Sequence, residues 1–160
     1  MAESFGKTRE ASKSIMSELV LPNDTNLIGN LLGGRLLHWI DIAGALAASK
    51  HANGLVATVT MDTIEFKHPI RVGNIVTLFS YVTWTGKTSI EVAVEVHAED
   101  TFSGAVTFIN RTYLVFISID KLGDKRPTVP LICSNEAEEA EFQSGFARKE
   151  RRIAASNGFA

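Results

Sequence analysis

The chain has 160 residues, 45% of them apolar and 21% charged, with a formal charge of −2 at pH 7 and an isoelectric point near 6.1. That is enough chain for one domain with a real core, and it carries no overall basic field that would mark it for nucleic acid or an anionic membrane. Cys133 is the only cysteine, which rules out an internal disulfide and fits a reducing, cytoplasmic setting.

The first stretch, "MAESFGKTREASKSIM", mixes both charges and lacks the apolar core of a secretory signal. Nowhere does the chain approach the roughly 20 apolar residues of a membrane span. Residues 1–15 read as a flexible N-terminal segment, 16–132 as one folded domain, and 133–160 as a charged helix and tail. "LVLPNDTN" is a short apolar run followed by turn-forming residues. From Gly33 onward, Leu36, Leu37, Ile40, Ala43, Leu46 and Ala47 recur at spacings of three and four, which predicts a helix of about 17 residues. It is apolar on most sides, so other elements should enclose it. Lys50 and His51 suit its negative end, and Gly54 is the expected stop.

Beyond Gly54 the pattern turns to β. "LVATVTMDTIEF" alternates through Leu55, Ala57, Val59 and Met61, then changes parity to Ile64 and Phe66, which predicts a bulge near Asp62. "NIVTLFSYVTW" and "TSIEVAVEVHA" flank Thr85-Gly86-Lys87, a hairpin signal. The second arm predicts Ile90, Val92, Val94 and Val96 inward and Glu91, Glu95 and His97 outward. A further turn, "EDTFSG", leads to a long strand over 105–120 and a loop. The segment 134–156 reads as a helix capped at Ser134 or Asn135. A long apolar helix followed by several long strands predicts an α+β fold, a curved antiparallel sheet wrapped round that helix.

Asp41 interrupts the apolar helix. It fits a solvated polar stripe with Arg35, His38 and Ser49, and equally a cleft-facing carboxylate whose partial desolvation makes it a useful base. Before it stand Asn30, Gly33 and Gly34. Free N–H groups in a first helical turn can hold an oxyanion or a polarised carbonyl, and glycines let a substrate come close to the backbone. The pair matches neither a P-loop nor a dinucleotide fingerprint.

"PNDTNLIGNLLGGRLLHWIDIAGALAASKHA" resembles the helix motif of hotdog-fold acyl-coenzyme A thioesterases, the YciA-type and brain-type acyl-CoA hydrolases. The likeness continues through "VATVTMDTIEFKHPIRVGNIVTLFSYVTWTGKTSIEVAVEV", "YLVFISID" and "VPLICSNEAEEAEFQSGFARKERR", about residues 16–153. It implies a single hotdog domain with an extra C-terminal helix, hydrolysing acyl-CoA to a carboxylic acid and coenzyme A with water and no cofactor. By the same resemblance, Asp41 is the general base or nucleophile and Asn30 places water and substrate. Gly33 and Gly34 bind the thioester oxygen, and Lys87, Thr88 and Ser89 approach coenzyme A, with Arg71 a further candidate for its phosphates. The family implies a homodimer paired edge to edge, assembled as a trimer of dimers, with no nucleic-acid or membrane partner. Two other readings share the fold: a non-catalytic acyl-CoA sensor, and an acyl-thioester hydratase or dehydratase, whose His-containing motif is not apparent.

Helix geometry points the same way. Asp41 lies eight residues past Gly33, roughly 12 Å along the axis. Asn30 and Asp41 of one chain are then too far apart to hold one water, which predicts a site shared across a dimer interface. A lone hotdog sheet also leaves an edge strand exposed, and pairing removes that liability. Phe66, Phe79 and Tyr113 are the expected acyl-tunnel lining, and Arg111 departs from the family's usual residues, either in that tunnel or at a subunit contact. The four histidines are scattered and His38 with Asp41 supplies two ligands only, so no metal is expected. Cys133 has no obvious catalytic partner, Trp39 and Trp84 read as core or interface aromatics, and "RKERR" reads as a solvated helix end.

Overall fold

The computed structural model describes residues 5–158. Its elements run β1 (Lys7–Thr8), α1 (Arg9–Ser12), β2 (Ser14–Leu19), a 3-10 turn (Pro22–Asp24), α2 (Gly33–Ala52), β3 (Leu55–Met61), β4 (Ile75–Thr85), β5 (Ser89–Glu99), β6 (Val106–Ile119), β7 (Leu131–Ile132) and α3 (Glu136–Asn157). Five strands form one antiparallel sheet in the order β2-β4-β5-β6-β3. The sheet curls round α2, as the α+β reading and the resemblance expect.

The inner face meets α2 with apolar side chains. Val76, Leu78, Val82, Ile90, Val92, Val94, Leu114 and Phe116 are wholly buried against Leu36, Ile40, Ala43 and Ala47 of the helix. Small helix residues allow the close approach. A Cβ on Gly44 would lie 3.0 Å from the Phe116 ring, and the Ser80 hydroxyl donates 2.7 Å to the Ala43 carbonyl. The helix is longer than expected, and it stops at Asn53 in the left-handed region (φ 49°), one residue before the expected Gly54.

Strand β3 departs from its expected register. The bulge sits between Thr58 and Thr60, and the strand ends at Met61. Val56, Thr58 and Met61 therefore lie opposite the inner-face positions Ser118, Phe116 and Leu114, while Leu55 and Val59 remain more than half exposed. Alternation alone puts Leu55, Ala57 and Val59 inward. The strand escapes that logic at the edge of the sheet, where Leu55 and Val59 face outward and no strand lies beyond them among the described residues.

The outward side chains of β5 also differ from expectation. Glu91 is fully buried, because α3 lies across the outer face of the sheet and covers it. Asn135 caps α3 by accepting from the Glu138 N–H at 2.9 Å. Trp84 and Phe142 pack together beneath the helix, their ring centroids 6.4 Å apart.

Much of the segment expected to be flexible, 1–15, is built into the fold over its described part. β1 pairs in parallel with β7, Ser12 is buried, and Arg9 joins Glu141 of α3 at 2.9 Å. Its polar composition hid these ties, each made to a residue distant in sequence. Residues 1–4 lie outside the described residues.

Candidate active site

The approach to α2 is a tightly bonded loop. Asp24 accepts from the Leu21 N–H at 2.9 Å and pairs with Arg35 at 3.1 Å. The Asn26 side-chain oxygen accepts from the N–H groups of Ile28 and Asn30, both at 3.1 Å, organising the turn. Gly29 takes φ +80°, which glycine adopts freely. Asn30 forms an isolated bridge with Arg71, and the Leu31 N–H donates to the Ile70 carbonyl at 2.6 Å.

This loop delivers the chain to Gly33 with no side-chain cap and no acid in the first turn. The N–H groups of Gly33 and Gly34, which an α-helix cannot pair internally, thus face an open end. Beside them is a cleft of ≈ 370 Å³ bordered by Asn26, Asn30, Gly33, Phe66 and Ile70. The two glycines differ. A Cβ on Gly33 would sit 3.3 Å from the Phe66 ring, whereas one on Gly34 would meet nothing within 4 Å. Gly33 makes room for the cleft wall, and Gly34 leaves space at the helix end. The Asn30 side-chain oxygen is buried with no hydrogen-bond partner, and a buried acceptor of that kind calls for an explanation.

Asp41 is half-buried on α2 and its carboxylate accepts 2.7 Å from the Thr58 hydroxyl. The bond fixes one carboxylate oxygen and leaves the other available. Thr58 lies on β3, whose outer edge pairs with no strand among the described residues. The carboxylate therefore stands beside the open edge of the sheet, while Asn30, Gly33 and Gly34 gather at the helix start.

Lys87, Thr88 and Ser89 fall elsewhere. They form the β4–β5 turn, where Thr88 accepts from the Ser118 N–H at 2.9 Å and Ser89 stands opposite Ile117. The start of β3, Leu55, pairs with the neighbouring Ile119. This turn thus adjoins the C-terminal end of α2, far from Gly33. Arg71 is exposed next to Asn30. The expected site residues form three groups in one chain, not one.

Of the expected tunnel lining, only Phe66 borders the cleft. Phe79 lies on the outer face, edge-on to His97 at 5.3 Å, and Tyr113 lies there beneath the Arg148 guanidinium at 3.6 Å. Arg111 is on that face too, paired with Glu95. Strand parity sends these three away from α2. Among the described residues, no three His, Cys, Asp or Glu side chains gather as a metal site, and no helix is long and apolar enough to cross a membrane. "RKERR" is not the solvated helix end its charge predicts, because Arg148 and Arg152 turn onto the buried Glu91. Thr58 and Asn26 are functional candidates that their residue types did not announce. Thr58 lies seventeen residues past Asp41, on the strand that follows α2, a pairing that the folded chain makes and the residue type alone does not announce.

A family model of the thioesterase superfamily matches residues 28–105. A Bacillus subtilis protein, the uncharacterised acyl-CoA thioester hydrolase YkhA, is 35% identical over 128 residues, covering 80% of this chain and 74% of that one. A hexameric acyl-CoA thioesterase superposes with a TM-score of 0.88 at 37% identity, over 94% of this chain and 96% of that one. The acyl-CoA hydrolase from Staphylococcus aureus, solved with butyryl coenzyme A, coenzyme A and coenzyme A disulfide, superposes at 0.86 with 30% identity, over 95% and 93%.

Proposed function

The chain belongs to the thioesterase superfamily as an acyl-CoA thioester hydrolase, and we propose that it acts as a homo-oligomer whose site is completed by a second copy. The observation that carries this is the separation of Asp41, held by Thr58 at an unpaired sheet edge, from the uncapped helix start. Antiparallel pairing of β3 with the β3 of a second copy satisfies that edge. It also sets the Lys87–Ser89 turn of one copy against the Gly33 end of the other, because that turn adjoins the start of β3 and Gly33 its finish. Trimerisation of such dimers is the assembly we propose, in keeping with the hexameric relative.

In this reading Asp41 takes the proton of a water that attacks the thioester carbonyl, or attacks that carbon itself to give an anhydride that water then opens to the acid and the free carboxylate. The N–H groups of Gly33 and Gly34 receive the developing oxyanion, and the thiolate of coenzyme A departs with a proton. Water is the co-substrate, and no cofactor takes part. Alanine variants of the S. aureus hydrolase have been solved at an aspartate, at an asparagine fifteen residues before it and at a threonine seventeen residues after it. The same spacings from Asp41 fall on Asn26 and Thr58 here. Asn26 therefore joins Asn30 at the cleft: its oxygen is spent on the loop, so its amide N–H groups are the donors, while Asn30 offers an acceptor.

Thiol release from acetyl-, hexanoyl- and palmitoyl-CoA tests the reading. Asp41→Ala should lower kcat by about 10² or more, with Asn26→Ala and Asn30→Ala also impaired. Co-expressing Asp41→Ala with the more impaired Asn variant should recover about a quarter of wild-type activity if sites are shared across a twofold axis. No recovery places each site within one chain. Binding of acyl-CoA without thiol release replaces the hydrolase with a sensor.

A further inference from the structure

The C-terminal helix carries a cluster of charge that the reaction does not use. Glu91 is fully buried, yet it accepts from the Thr83 hydroxyl at 2.6 Å and pairs with Arg148 at 2.7 Å and Arg152 at 2.9 Å. Arg152 also grips Asp62 in a fork, Nε at 2.9 Å and Nη2 at 2.8 Å. The two carboxylates and two guanidinium groups balance. Buried ion pairs are weak devices for stability, since desolvation offsets most of their attraction, but a bidentate fork fixes direction.

What the fork directs is the chain after β3. Asp62 is the first residue beyond that strand, and its N–H still reaches the Tyr113 carbonyl at 2.9 Å. Residues 63–70 then run without strand pairing to Ile70, whose carbonyl holds Leu31. One more tie, from the Asn110 amide to the Glu65 carbonyl at 2.8 Å, lies between. This stretch puts Phe66 over Gly33 and forms a wall of the cleft.

We infer that Arg152 and Asp62 are positioning residues, through which the docked α3 holds the 63–70 wall and so sets which acyl chains the cleft accepts. The inference rests on the acyl-thioester reading of the cleft. A longer acyl chain must run along that wall, whereas an acetyl group scarcely touches it. Loosening the wall therefore acts on KM, and more strongly as the chain lengthens.

The test is Asp62→Ala in the full-length oligomer, which leaves Glu91 paired with both arginines. KM and kcat are measured for acetyl-, hexanoyl- and dodecanoyl-CoA, and amide hydrogen exchange is followed over 63–70. The expected result is a rise in KM of about 10-fold for the longer chains, with kcat for acetyl-CoA changed by less than about 2-fold, and faster exchange in 63–70. Asp62→Asn, which keeps one acceptor for the fork, should fall between. A ratio of KM values between chain lengths that matches wild type overturns the inference, as does a uniform loss of activity with the folded fraction. Should wild type release no thiol, the reading of the cleft fails on its own, and unchanged exchange over 63–70 would then overturn the positioning role independently.

Discussion

The two ends of α2 face the same shortage and meet it in opposite ways. Every α-helix begins with unpaired N–H groups and ends with unpaired carbonyls. At the C-terminal end the fold supplies partners from several directions. The Lys7 ammonium donates to the Lys50 carbonyl and to the Asn53 side chain, and the Arg126 guanidinium donates to the Ala52 carbonyl. Asn53 and Gly54 both return their N–H groups to Ser49. His51, wholly buried, spans the Val129 carbonyl at 3.0 Å and the Ser12 hydroxyl at 3.3 Å. The N-terminal end receives no side-chain cap and starts on two glycines beside a cleft. One end is closed by the rest of the chain, and the other is left open beside the cleft that the proposed mechanism uses.

The sharpest way to break this contrast is to fill the open end. A side chain at Gly34 meets no atom of its own chain, so Gly34→Val should fold normally while, in the proposed mechanism, its methyl groups stand where the thioester oxygen would come. We expect kcat/KM to fall by about 10- to 100-fold, the cost of losing an oxyanion donor or its access. The melting temperature should shift by no more than about 2 °C. Equal losses in activity and melting temperature would show that the open end is structural after all.

Much of this architecture was readable from residue spacing. The three-four recurrence of Leu36, Ile40, Ala43 and Ala47 marked α2, the Thr85-Gly86-Lys87 turn marked the hairpin, and Asn135 lay at the cap of α3. Three features were hidden, each because it depends on a second element. Glu91 looked solvent-facing by alternation, which is right for β5 alone and blind to the helix that covers it. The bulge expected near Asp62 lies instead between Thr58 and Thr60, because pairing with β6 decides where this edge strand breaks register and no glycine announces the place. The polar residues before Ser14 read as loose because their partners, Glu141 and the β7 strand, lie more than a hundred residues away. At the candidate site, the family resemblance singled out Asn30, and Gly33, Gly34 and Asp41 stood out as breaks in an apolar pattern. Thr58 and Asn26 did not, since threonine suits any strand and asparagine any turn.

Changing the closed end should have the reverse effect of Gly34→Val. Asn53 takes left-handed backbone angles (φ 49°, ψ 47°) and accepts from Lys7 at 2.8 Å. Asn53→Ala forfeits both the tolerance and the acceptor, and should cost about 1 kcal/mol, a fall of about 2–4 °C in a chain of this size. Asn53→Gly restores the backbone freedom and should recover most of that loss. KM and kcat should remain at wild-type values in both, measured beside thermal unfolding.

The smallest expected effect comes from protons at the same end. Burial lowers the pKa of His51 below its ordinary 6.5, and the nearby Lys7 charge acts in the same direction, while the bond to the Val129 carbonyl opposes them. The imidazole is therefore neutral in the fold, its Nε2–H donating to Val129 and its Nδ1 accepting from Ser12. Below pH 6.5 the unfolded chain takes up a proton that the folded chain still refuses. His51 thus contributes stability that is complete above pH 6.5 and declines as pH falls through its lowered folded value. Melting temperatures from pH 7.5 to 5 should drop more steeply for wild type than for His51→Gln, which keeps a donor for Val129 but cannot titrate. Parallel curves would mean that the charged imidazole is tolerated here, and the closed end of α2 would then owe its stability to Lys7, Arg126 and Asn53 alone.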